Sequence, residues 1–174
     1  MPSNKTLVVY FSRADENYTV STVEVGNTEL LAKAIIAKTG ADEFKIKPKV
    51  PYPADYMSCV DLATKEKEEN ARPEYIGDID ITDYDTIFLG YPIWWDDLPM
   101  IAYSFLDNHD FTGKTVIPFN THEGSGNSGT YESLQAKLPN ATLKGDGFNM
   151  TGSTARTDDG IKKLDNWLNG LGYN

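Results

Sequence analysis

The chain has 174 residues, 40% hydrophobic and 24% charged, which predicts one soluble globular domain over residues 1–174 with a sizeable core. Acidic residues outnumber basic ones 26 to 16, for a formal charge of −10, and such a surface repels nucleic acid and anionic membranes. The lone cysteine, Cys59, rules out an intramolecular disulfide, and with two histidines it makes no convincing zinc site.

No apolar run reaches membrane-spanning length, and residues 7–11 are too short for a secretory core, so the cytoplasm is the expected compartment. The Asn-x-Thr triplets at Asn17, Asn140 and Asn149 then read as chance glycosylation matches.

In chain order, the first predicted strand is 6–11, a nearly continuous apolar run suited to a strand covered on both faces. A helix follows, with Asn27 as a good N-cap, Leu30, Leu31, Ala34 and Ile35 as its apolar stripe, and Gly40 closing it. Strand two, 43–47, alternates Phe44 and Ile46 with lysines, as an edge strand does. A helix over roughly 54–70 ends in the charge run 65–69, a solvated face. Strand three covers 86–90, and Pro99 opens a third helix that buries Ile101, Phe105 and Leu106. Strand four is 115–119; the fourth helix carries Tyr131, Leu134 and Leu138; a weaker fifth strand spans 143–150. The last helix starts at Thr157 with Asp158 and Asp159 in its first turn, stripes Ile161, Leu164 and Leu168, and ends at Gly170.

This alternation predicts an α/β fold: a doubly wound parallel sheet of five strands with right-handed crossovers and helices on both faces. Ligands of such sheets bind outside the carboxyl ends of the strands, at the switch point. There strand one leads to Ser12-Arg13 and later to Gly26-Asn27-Thr28 at a helix start. Strand three leads to Pro92-Ile93-Trp94-Trp95, and strand four to Asn120-Thr121-His122-Glu123-Gly124-Ser125-Gly126. Hydroxyls at a helix N-terminus suit a phosphate, and paired indoles suit a flat ring, although Trp94 and Trp95 read equally well as core.

Gly124-Ser125-Gly126-Asn127-Ser128-Gly129 matches the dinucleotide fingerprint, with Asp146 downstream. That fingerprint begins at the strand tip, whereas Thr121-His122-Glu123 intervenes here, and too little chain follows for a second mononucleotide half. A serine hydrolase is disfavoured by the lack of a Gly-x-Ser-x-Gly elbow.

Tyr10-Phe11-Ser12, Gly26-Asn27-Thr28, Tyr91-Pro92-Ile93-Trp94-Trp95 and Thr121-His122-Glu123-Gly124-Ser125-Gly126, in that order, resemble the segments of flavodoxin-like FMN-binding proteins. The likeness spans essentially the whole chain and is nearest to a bacterial branch of flavoproteins rather than the short electron carriers. It implies strand order 2-1-3-4-5, for which flavodoxin itself is the type example with FMN at the switch point.

By that resemblance Ser12, Asn27 and Thr28 would hold the phosphate, with Arg13 either adding charge or lying on the surface. Pro92, Ile93, Trp94 and Trp95 would pack on the isoalloxazine. Thr121, His122, Gly124, Ser125 and Gly126 would run along its pyrimidine edge. His122 would hydrogen-bond or deliver a proton, or else be an exposed loop residue; His109 reads as structural. The implied function is an FMN-dependent oxidoreductase passing two electrons from NAD(P)H to a small acceptor such as a quinone. The alternative is a one-electron-carrier flavodoxin docking on redox partner proteins, and no residue stands out as catalytic. A phospho-receiver of the same topology would need acidic residues where this chain has Ser12-Arg13 and Tyr91-Pro92.

Two departures from the family pattern matter. Residues 14–25, with Tyr18, lengthen the phosphate loop, and would cover the cofactor, act as a lid or meet a second subunit in a homodimer. Trp94-Trp95-Asp96-Asp97 stands where one-electron carriers often have a glycine whose peptide flips at low cost, which disfavours a dedicated carrier.

Overall fold

The apolar runs become the central strands of a parallel sheet, because only a strand covered on both faces can bury side chains of both parities. The computed structural model describes residues 5–17, 21–23, 25–144 and 147–173. Its elements are β1 (Lys5–Tyr10), β2 (Asp15–Asn17), β3 (Ser21–Val23), α1 (Asn27–Thr39), β4 (Asp42–Lys45), α2 (Tyr56–Glu68) and β5 (Tyr84–Pro92). Then follow α3 (Met100–Asp107), β6 (Thr115–His122), α4 (Thr130–Lys137), β7 (Thr142–Leu143), β8 (Phe148–Thr151), α5 (Gly152–Ala155) and α6 (Asp158–Gly170).

The main sheet runs β4-β1-β5-β6, with β7 and β8 both paired to the outer edge of β6, and every pairing in it is parallel. That is the expected 2-1-3-4-5 order, with the fifth strand divided. Odd-numbered residues such as Leu7, Val9 and Leu89 pack with Ile101, Phe105 and Leu134 of α3 and α4. Even-numbered Val8, Tyr10 and Phe88 pack with Leu31 and Ile35 of α1 and Leu164 and Leu168 of α6. Each such aliphatic or aromatic side chain contributes about 1.5–3 kcal/mol on full burial.

Gly90 marks the point where the sheet is tightest. A Cβ built there would lie 2.2 Å from Phe119 Cζ, so the ring on β6 crosses β5 only over a bare α-carbon.

Three local expectations change, and a fourth segment gains detail. Gly26, not Asn27, is the N-cap of α1, and Asn27 is its first helical residue; Gly40 does close the helix with left-handed φ of 71°. Pro99 is likewise the N-cap of α3, one residue before the helix. The fifth strand is broken, because Leu143 pairs Val116 and Phe148 pairs Phe119, so five residues of chain advance against three on β6. Gly147, just before β8, has a φ of 69°, which is open to glycine. Finally, residues 14–25 contain an antiparallel ribbon, β2 with β3, in which Asp15 pairs Val23 and Asn17 pairs Ser21. Tyr18 and Asp146 lie outside the described residues. Among the described residues, no helix is long and apolar enough to cross a membrane.

Candidate functional site

Beyond the carboxyl ends of β1, β5 and β6 lies a cavity of about 460 Å³. Of the residues expected at a site, Arg13, Asn27, Pro92, Ile93, Trp94 and Trp95 line it, as do Thr121, His122 and Ser125. Ser12 and Thr28 stand behind that lining and hold it in place, while Gly124 and Gly126 shape the loop beside it.

At one end α1 starts with an N-cap that offers no side chain, so its first-turn amides need acceptors from elsewhere. Ser12 Oγ is one, accepting from the Glu29 N–H at 3.0 Å. The approach is close: a Cβ at Gly26 would lie 2.2 Å from Ser12 Oγ and 2.5 Å from Arg13 O. Thr28 is buried, and its Oγ1 lies 2.7 Å from Thr121 Oγ1, which ties α1 to the end of β6. Ile93 N–H in turn donates to Thr121 O at 3.0 Å, so the three converging segments are bonded to one another.

Arg13 is not a surface arginine; it is only 9% exposed. Its guanidinium donates to Pro53 O at 2.7 Å and to Ala54 O at 2.8 Å, just ahead of α2. There Asp55 caps the helix, its carboxylate accepting from the Ser58 N–H at 2.9 Å. So anchored, α2 turns Tyr56, Cys59, Val60 and Ala63 to the cavity, a stripe at i, i+3, i+4 and i+7. Sequence reasoning missed this wall. The stripe was legible, but nothing in one chain says which apolar helix face meets a ligand rather than the core. Burial pushes the Cys59 thiol up, which keeps it protonated.

The tryptophans divide the two readings open for them. Trp94 is half-buried and meets Phe11 and Tyr52 edge-on, at centroid distances of 5.2 and 5.1 Å. Trp95 is 53% exposed at the cavity rim. Between Trp94 and Asp97 the chain makes a two-residue turn: Trp94 N–H donates to Asp97 O at 2.9 Å, and Asp97 N–H to Trp94 O at 3.2 Å. Both central residues are left-handed, Trp95 with φ of 53° and Asp96 with φ of 59°. Turns of this kind favour Asn-Gly, and each non-glycine residue held so costs about 1–2 kcal/mol. Asp97 holds the turn closed, its carboxylate accepting from Leu98 N–H at 2.7 Å, Tyr103 OH at 2.6 Å and Lys67 Nζ at 3.1 Å. Ser128 Oγ adds a bond to Asp96 Oδ1 at 3.3 Å.

The β6 loop is braced from within. His122 Nδ1 accepts from Gly124 N–H at 2.9 Å, so the ring hydrogen sits on Nε2 and points to Asn149 Oδ1 at 3.1 Å. Both ring nitrogens are therefore engaged in shaping the loop. Asn120 Nδ2 donates to Gly126 O at 3.0 Å, and Glu123 Oε1 accepts from Gly152 N–H at 3.1 Å. His109 lies far along α3's end, stacked on Phe105 at 4.1 Å with its nitrogens near Phe105 O and Ile79 O, which is a structural role. Among the described residues no group of histidine, cysteine and carboxylate side chains is arranged to hold a metal.

A doubly wound sheet with a helix start, an aromatic turn and a glycine-bearing loop gathered at its carboxyl edge defines the flavodoxin-like class. A family model of the flavodoxins matches residues 5–171, and the chain belongs to that family. It is similar to a protein classed as a flavoprotein from Bacteroides eggerthii, at 30% identity over 98% of this chain and 99% of the other, with a TM-score of 0.75. It also resembles a Lactobacillus acidophilus flavoprotein solved in complex with FMN, at 20% identity over 94% of this chain and 99% of that one, TM-score 0.66. An NADH:FMN oxidoreductase shares the fold at 17% identity, covering 98% of this chain and 90% of that one, TM-score 0.53. No curated protein matches the sequence.

Proposed function

We propose that the protein binds FMN in this cavity and acts as an oxidoreductase, passing two-electron equivalents from NAD(P)H to a small acceptor such as a quinone. The observation that carries the reading is that the α1 start, the Trp94–Asp97 turn and the β6 loop border one cavity of about 460 Å³. That size falls within the range of small-molecule sites.

The residues present fit the cofactor. The first turn of α1 offers the positive end of a helix dipole, and Gly26 lets the backbone approach where a side chain would collide. Asn27 and Arg13, both on the cavity wall, would stand at the phosphate end. Pro92, Ile93, Trp94 and Trp95 would flank the ring, and Thr121, His122 and Ser125 its polar edge. Bound flavin would supply the electron chemistry; the protein would set its orientation and its surroundings. The apolar stripe of α2 would exclude water from the opposite side.

The turn supports two-electron work over one-electron carriage. Trp95 and Asp96 already hold left-handed backbone without glycine, and Asp97 locks the turn through three donors. A flip of the Trp94–Trp95 peptide would turn the Trp94 carbonyl away from the Asp97 N–H that it accepts from. The test is to reconstitute the purified protein with FMN and titrate it anaerobically with NADPH. Prompt bleaching of the flavin, reversed by a quinone, is expected. No reduction at useful rates would remove the enzyme reading, and a strongly populated one-electron state would favour the carrier.

A further inference from the structure

Arg156 is the C-cap of the short helix α5, 129 residues along the chain from Asn27, and it plays no part in the cavity wall. Its side chain nevertheless reaches the start of α1. Nε donates to Asn27 Oδ1 at 2.9 Å, and a terminal nitrogen donates to Val25 O at 2.5 Å. These two acceptors flank Gly26, the N-cap, so one guanidinium clamps the loop on both sides of it.

The packing around this clamp leaves no slack. A Cβ at Gly152, the first residue of α5, would lie 2.1 Å from Asn27 Nδ2 and 2.6 Å from Glu123 Oε1. Gly152 N–H meanwhile holds Glu123 Oε1. The head of α5 is thus wedged between the α1 start and the β6 loop, and Arg156 closes it.

We infer that Arg156 is a positioning residue for the cofactor's phosphate, acting through Asn27. With Oδ1 held by Arg156 and Nδ2 packed against Gly152, the Asn27 side chain is fixed from both sides, and with it the first turn of α1, the positive end of the helix dipole. It also places a positive charge beside a loop that otherwise carries the Glu123 carboxylate, in a chain of net charge −10. This inference rests on the FMN reading above.

The test compares two ligands that differ only in the phosphate. FMN and riboflavin are titrated against the full-length protein, with flavin fluorescence as the readout, for the unsubstituted chain, Arg156→Gln and Asn27→Asp. Arg156→Gln should weaken FMN about tenfold, the scale of a lost charge-assisted hydrogen bond, and leave riboflavin within about twofold. Asn27→Asp keeps an acceptor for Arg156 but brings a negative charge to the phosphate end, and it should show the same selective loss. Equal weakening of both ligands, or no weakening of FMN, overturns the inference. Riboflavin binding reports on folding in the same experiment. Failure of the unsubstituted chain to bind either flavin refutes the cofactor reading itself.

Discussion

The hydroxyl oxygens of Thr28, in the first turn of α1, and Thr121, at the end of β6, lie 2.7 Å apart in a buried position. This pair joins the cavity's two polar segments, and both threonines are buried. Replacing either threonine with valine strands its partner, at a cost of about 1–3 kcal/mol, whereas replacing both removes the polar atoms together. Urea unfolding of the two single variants and the double variant should show the double to be clearly less destabilised than the singles combined. Strict additivity would mean the hydroxyls are not coupled.

Trp94 and Trp95 should separate stability from binding. Trp94 sits edge-on between Phe11 and Tyr52, so Trp94→Ala should lower unfolding stability by about 2 kcal/mol or more. Trp95 is exposed, and Trp95→Ala should change stability by no more than about 0.5 kcal/mol. If Trp95 stacks on flavin, the same variant should lose about 1 kcal/mol of FMN affinity, read by fluorescence quenching. Unchanged affinity would place the ring off the flavin.

Gly90→Ala tests the crossing of Phe119 over β5. The added methyl would fall inside the ring's van der Waals surface, within a core where Phe119 has no exposed area into which to retreat. Overpacking of this kind costs about 1–3 kcal/mol, and the urea midpoint should fall accordingly. An unchanged midpoint would show that the ring moves freely.

Glu66 predicts a pH effect of definite sign. Burial pushes its carboxyl above the ordinary range, and the hydrogen bond from Tyr52 OH at 2.7 Å only partly opposes this. A raised folded-state value means the group's contribution is fully present below the ordinary carboxylate pKa and lost as pH rises through the raised one. Glu66→Gln keeps an acceptor for Tyr52 and does not ionise. The variant should therefore gain on the parent as pH climbs from the carboxylate range to neutrality. Parallel urea midpoints across that window would contradict it.

Periodicity and turn chemistry carried most of the architecture, because strands 5–10, 84–92 and 115–122 bury both faces and so leave unbroken apolar runs in the chain. Caps were legible where a side chain does the capping, as at Thr157, which accepts from Gly160 N–H. The cap expected at Asn27 fails, since the acceptor for the Glu29 N–H is Ser12, seventeen residues upstream, and a long-range donor–acceptor pair leaves no local mark. The loops that border the cavity could be named from the ends of strands. Only the tertiary fold decided that Arg13 would be buried under α2, that one indole would join the core while its neighbour stayed in solvent, and that Arg156 would reach Val25 and Asn27. Sequence spells out short-range preference, which acts over a turn or a strand; which distant side chains meet is set by how the crossovers stack, and that stacking is a property of the whole sheet.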